Sequence, residues 1–152
     1  MDCDMLMLDD IENLWSLRDD RFVVQVVRHD HRPKESTKFL GEVQTVYEKK
    51  NWSSVMLFNN ERCAALTPEY VSKASGLELH QFKWIDNDDL IGDLPSKWNH
   101  LVGYDKPSRE VSLAHFTLGG PYFPEYADCE YAKEWRAERA TMLHAGLLER
   151  HD

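Results

Sequence analysis

An α/β domain is predicted by three observations. Apolar, partly β-branched runs lie at 22–27, 55–58 and 111–116; helix-start signals lie between and after them; and the composition is 42% hydrophobic with five tryptophans. Runs of that kind suit buried strands, and their alternation with helical stretches is the pattern of an α/β chain. At 152 residues the expectation is one domain, spanning 1–152 and long enough to bury a substantial core.

Taken in order, Asp9 or Asp10 can cap a short helix on which Ile11, Leu14 and Trp15 fall on one face, with Arg18 near its C-terminal end. Phe22 to Val27 reads as a buried strand. His29 to Thr45 is polar, carries Pro33 and Gly41, and reads as a long loop of the kind that is functional or disordered in compact domains. Val55 to Phe58 is a second short strand. Thr67-Pro68 opens a helix, with Thr as N-cap and Pro at its first position, ending before Gly76. Val111 to Phe116 is a third strand, running into a Gly119-Gly120-Pro121 turn. From about Ala127 a long helix carries Tyr131, Trp135 and Met142 near helical spacing. There is no internal repeat.

Composition excludes several classes of partner. Lys and Arg number 18 against 27 Asp and Glu, a net charge of −9 with no long basic block, which argues against nucleic acid or an anionic membrane surface. Cys3, Cys63 and Cys129 are odd in number and far apart, so neither a disulfide framework nor a structural zinc site is indicated, and a reducing, cytoplasmic compartment fits. No apolar run approaches a membrane span, and the acidic start lacks the basic region of a signal peptide.

Four clusters carry candidate chemistry. In Asp2-Cys3-Asp4 a bend would turn both carboxylates toward one cation, and hard oxygen ligands suit Mg²⁺ or Mn²⁺; the same residues also serve turns and caps. His29-Asp30-His31 is a His-x-His that, with Asp86, Asp88 or His115, could hold Zn²⁺ and activate a water, or could be a solvated loop. Asn51-Trp52-Ser53-Ser54 sets hydrogen-bonding side chains beside an indole, a combination that binds sugars, although Trp52 in the core fits the composition equally well. Asp86-Asn87-Asp88-Asp89 reads as an acidic site or as the charged start of a short helix. His115, ahead of Gly119 and Gly120, is a candidate ligand or a satisfied core histidine; the glycines permit close approach to a diphosphate.

Read together, Asp2 to Ile11, Lys50 to Asn59, Leu94-Pro95-Ser96-Lys97-Trp98-Asn99 and His115-Phe116-Thr117-Leu118-Gly119-Gly120-Pro121 resemble, in that order, the later half of a bacterial glycosyltransferase of GT-A type, similar to the retaining family-8 enzymes. The resemblance implies a GT-A-like mixed sheet with flanking helices, beginning at the Asp-x-Asp motif with the N-terminal nucleotide-binding part missing, and an exposed edge prone to self-association. It implies metal-dependent transfer of a sugar from a nucleotide-diphosphate donor to a glycan or other acceptor, with Mn²⁺ (or Mg²⁺) held by Asp2, Asp4 and His115. Asp86 and Asn87 would then be catalytic, Asn87 standing where the family has Gln. His29, Lys34, Asn51, Trp52, Ser53, Gly119 and Gly120 would line the substrate cleft, and a Gly120 in place of the family's Lys leaves the pyrophosphate to the metal and to cations from elsewhere. The readings from other classes are a non-catalytic remnant or binding module, and a metal hydrolase built on His29 and His31.

Overall fold

The computed structural model of the protein describes residues 1–30 and 47–148. Its strands are β1 (Met5–Met7), β2 (Val24–Val26), β3 (Met56–Phe58), β4 (Ile91–Asp93), β5 (His100–Leu101) and β6 (Leu113–His115); its α-helices are α1 (Ile11–Trp15), α2 (Pro68–Lys73), α3 (Gly76–His80) and α4 (Ala132–Leu148). The architecture is mixed α/β, but the strands form two small mixed sheets where one was expected. In the first, β6 lies between β1, antiparallel to it, and β5, parallel to it. In the second, β2 lies between β3, antiparallel, and β4, parallel.

β2 is buried along its whole length, which accounts for its β-branched sequence. Its one polar residue, Gln25, is satisfied: its Oε1 accepts from Asp19 N at 2.7 Å and its Nε2 donates to Leu17 O at 3.0 Å. The two sheets are joined by a shared cluster of Leu14, Val27, Val55, Leu94, Trp98 and Leu113. The strand spacing and this cluster set how the end of β6 meets the segment 50–55.

Asp10 caps α1 by accepting from Glu12 N, and Leu14 is buried. Ile11 and Trp15, expected beside it in the core, are each 54% exposed, because a helix of five residues presents too little surface to bury three large side chains. Thr67 caps α2 and Pro68 opens it, as the sequence indicates. A separate helix follows: Ser75 and Glu78 form a capping box that starts α3 at Gly76. α4 begins at Ala132, later than expected, after a tight turn at Pro124–Tyr126 and a left-handed Tyr131 (φ 60°). Its first turn packs, with Ala132 buried and Trp135 partly so, whereas residues 136–145 are all exposed, so Met142 does not continue a buried stripe.

Candidate metal centre

The pairing of β1 with β6 decides where the chemistry lies. Met5 faces His115 across the antiparallel ladder, and Phe116 N donates to Asp4 O at 2.9 Å, so the residue before β1 is held against the residue after β6. Cys3 and Asp4 form a bend, and Asp2 N donates to Ser54 O at 2.9 Å, tying the preceding residues to the segment before β3. Asp2, Asp4 and His115 consequently each offer a ligand atom within 4.8 Å of the others, exposed, half-buried and buried respectively. Two carboxylate oxygens and one imidazole nitrogen at that separation can close on a single divalent cation.

The imidazole is set by a buried relay. Asn99, 0% exposed at the start of β5, donates from Nδ2 to Asn51 O at 2.9 Å, which turns its Oδ1 toward His115. His115 Nδ1 therefore carries the proton and donates to Asn99 Oδ1 at 2.9 Å. Its Nε2 faces Asp4 Oδ1 at 3.5 Å, donating to that carboxylate when the ring is charged and presenting a lone pair when it is neutral. Asn51 adopts a left-handed conformation (φ 66°), which suits asparagine. Its carbonyl holds Asn99, and its buried side-chain Nδ2 has no hydrogen-bond partner among the described residues.

Three further side chains border this group. The Tyr122 phenol is pushed above its ordinary value by burial, with smaller contributions from the Asp4 and Cys3 charges. Tyr47 is pushed up in the same way by burial and then by Asp2. Lys50, 8% exposed, places its Nζ 5.0 Å from the centre of the Tyr47 ring. None of Asn99, Lys50, Tyr47 or Tyr122 stands out in the sequence as a site residue. The one local hint is a Lys50-Asn51 pair directly ahead of a strand-entry turn.

The remaining candidates fall elsewhere. Trp52 is not an open platform for a sugar: its Nε1 donates to His29 O at 2.9 Å, Arg28 and Lys49 approach its ring at 5.2 and 5.9 Å, and it packs on the cluster of Val23, Val24, Val26 and Phe82. Ser53 Oγ meets His80 Nδ1 at 2.6 Å at the surface. Gly119 (φ 140°) and Gly120 are buried, and the space a side chain would take is filled by the rings of Tyr126 and Tyr122. The physical need for glycine at both positions is thus aromatic packing. Asp86 and Asn87 are exposed ahead of β4, in the other sheet. Asn87 Oδ1 accepts from Asp89 N at 2.9 Å and caps the turn Asp88–Leu90, and Asp88 pairs with Lys49 at 2.6 Å. The structure gives that cluster the capping role and does not bring it into the triad. His29 is half-buried and lines a cavity of about 560 Å³ with Pro95, Lys97, His100, Asp105 and Glu110. Its expected partner His31 lies outside the described residues, as does Lys34.

Comparison with known proteins revises the family resemblance. The chain is 43% identical over 145 residues, 91% of its length, to Protein CDI of Arabidopsis thaliana, and it spans 56% of that protein's length. No family model matches the chain, and no solved structure does. The relative is not named as a glycosyltransferase, so the identification with bacterial GT-A, family-8 enzymes, with their Asp-x-Asp signature and their manganese, is corrected. Four short motifs in a plausible order were too little sequence to carry a family. Among the described residues, no helix is long and apolar enough to cross a membrane.

Proposed function

We propose that the chain binds a divalent cation through Asp2, Asp4 and His115 and uses the site to receive the diphosphate of a nucleotide-linked sugar, whose sugar is then transferred to an acceptor. One observation carries the reading: Asp2, Asp4 and His115 each offer a ligand atom within 4.8 Å of the others, with His115 Nε2 3.5 Å from Asp4 Oδ1. The cation site stands on this ligand geometry, and the nucleotide-linked sugar is the ligand class the test below decides. Asp2 and Asp4 supply hard oxygens, and His115 supplies the buried nitrogen that fixes the depth of the site. When bound, the cation neutralises charge on the departing diphosphate. Asn51, whose side-chain amide is buried without a partner among the described residues, is the donor best suited to a sugar or phosphate oxygen.

The test is calorimetry of uridine, guanosine and adenosine diphosphates with and without Mg²⁺, in the wild type and in Asp4→Ala. Binding of at least one nucleotide that requires the cation and is lost in the variant is expected. Cation-independent binding, or none with the cation present, overturns the reading. Release of sugar from the matching diphosphate sugar extends the test from binding to chemistry.

A further inference from the structure

We infer that Asn99 is a positioning residue that holds His115 in the single tautomer able to take a cation; the inference rests on the function proposed above. The argument is one of donor and acceptor accounting in a closed space. Asn99 and His115 are 0% and 2% exposed, so neither can turn to bulk water for an alternative partner. An asparagine amide could present either its oxygen or its nitrogen to an imidazole, and the choice here is made by a third group. The carbonyl of Asn51 can only accept, so it claims Asn99 Nδ2 at 2.9 Å. That leaves Oδ1 for His115 Nδ1, and an acceptor opposite Nδ1 places the proton there. Nε2, on the far side of the ring, then faces the Asp4 carboxylate with Asp2 beside it, and in the neutral ring it is the nitrogen left for a cation.

Without Asn99 the preference reverses. A neutral imidazole freed from its acceptor at Nδ1 gains most by protonating Nε2 and donating to Asp4 Oδ1, which is already 3.5 Å away. That hydrogen bond occupies the atom the cation needs. Asn99 therefore sets the protonation pattern of a ring it holds from behind, while the left-handed Asn51 supplies the carbonyl that sets Asn99 in turn. Groups in this relation to a ligating histidine typically change metal affinity by 10–100-fold when removed.

The test uses the full chain with two variants of opposite intent. Asn99→Leu keeps the volume and removes the acceptor; Asn99→Asp keeps an acceptor at Nδ1 and gives up the bond to Asn51. The ring state is read from two-bond proton–nitrogen correlations of His115 in cation-free protein, and affinity from calorimetry with Mn²⁺ as the probe. The wild type and Asn99→Asp are expected to carry the His115 proton on Nδ1, and Asn99→Leu on Nε2. Mn²⁺ affinity is expected to fall about 10–100-fold in Asn99→Leu and to stay well inside that range in Asn99→Asp. A wild-type His115 protonated on Nε2, or equal loss of Mn²⁺ affinity in both variants, overturns the inference. Should Asn99→Leu fail to fold, the wild-type tautomer and the Asn99→Asp affinity still decide it. A wild type protonated on Nδ1 that takes up no Mn²⁺ overturns the proposed function alone and leaves the hold of Asn99 on the ring established.

Discussion

Asp2→Asn should change sign in its effect on stability when a divalent cation is added. In cation-free protein, Asp2 and Asp4 offer oxygens within 4.8 Å of each other, and Asp2 is exposed, so water screens the pair. Two like charges at that distance in water repel by about 0.9 kcal/mol, which the substitution removes at almost no cost in volume. For a chain of this size that corresponds to a rise in Tm of roughly 2–4 °C at most. With the cation at about 100 times its Kd, the wild type gains about 2.7 kcal/mol, or roughly 5–11 °C. Loss of one charged ligand that weakens affinity about tenfold leaves the variant with a gain of about 1.4 kcal/mol under the same conditions. The variant is thus the more stable protein after chelation and the less stable one in Mg²⁺. Thermal unfolding followed by tryptophan fluorescence, before and after chelation, reads both limbs. An equal Mg²⁺ shift in the two proteins, or none in the wild type, would refute the assignment of Asp2 as a ligand.

Two further predictions concern the frame around the site. Gly92→Ala should lower stability by about 1–3 kcal/mol, measured by urea unfolding, because a Cβ there runs into the Phe22 ring and lies 2.8 Å from Gln25 Cγ where β4 pairs with β2; a neutral result would mean that Phe22 moves aside freely. Asp9 is held at about 2 by bonds from Ser112, Asn13 and the Asp10 amide, below the unfolded value, so its stabilising contribution is complete above about pH 4 and is lost as pH falls toward 2. Asp9→Asn should therefore lower the urea midpoint at pH 7, and the deficit should shrink through that window; a deficit independent of pH would show that the Asp9 charge is not what matters.

What was legible in the sequence is what local physics decides. The run 22–27 contains β2 because a strand buried on both faces is built mainly of β-branched residues, with Gln25 satisfied by its own hydrogen bonds, and Thr67-Pro68 and Asp10 start helices because their caps are satisfied within one turn. The Ser75-x-x-Glu78 capping box that starts α3 was equally local and could have been read the same way. The division into two sheets was not legible, since nothing near Met5 says that it pairs with His115, more than a hundred residues away. Ile11, Trp15 and Met142 were misplaced for a related reason: apolar spacing reports which residues share a face and does not report whether another element arrives to cover it.

The site shows the same division more sharply. Asp2, Asp4 and His115 were named as one set by the family resemblance, and their convergence follows from the β1–β6 register, which residue type alone does not announce. Trp52 was conspicuous and points the wrong way, because an indole N–H finds its acceptor in the His29 carbonyl and its faces find Arg28 and Lys49, partners no sequence spacing announces. Asn99 has the opposite property: an ordinary residue beside a tryptophan, it acquires a role only when burial removes water as a partner and leaves the Asn51 carbonyl to choose which of its two polar atoms faces His115. Candidate ligands are legible by type, whereas the groups that would orient them are defined by what the fold denies them, and a buried amide between a carbonyl and an imidazole has a single arrangement that leaves no donor or acceptor opposed.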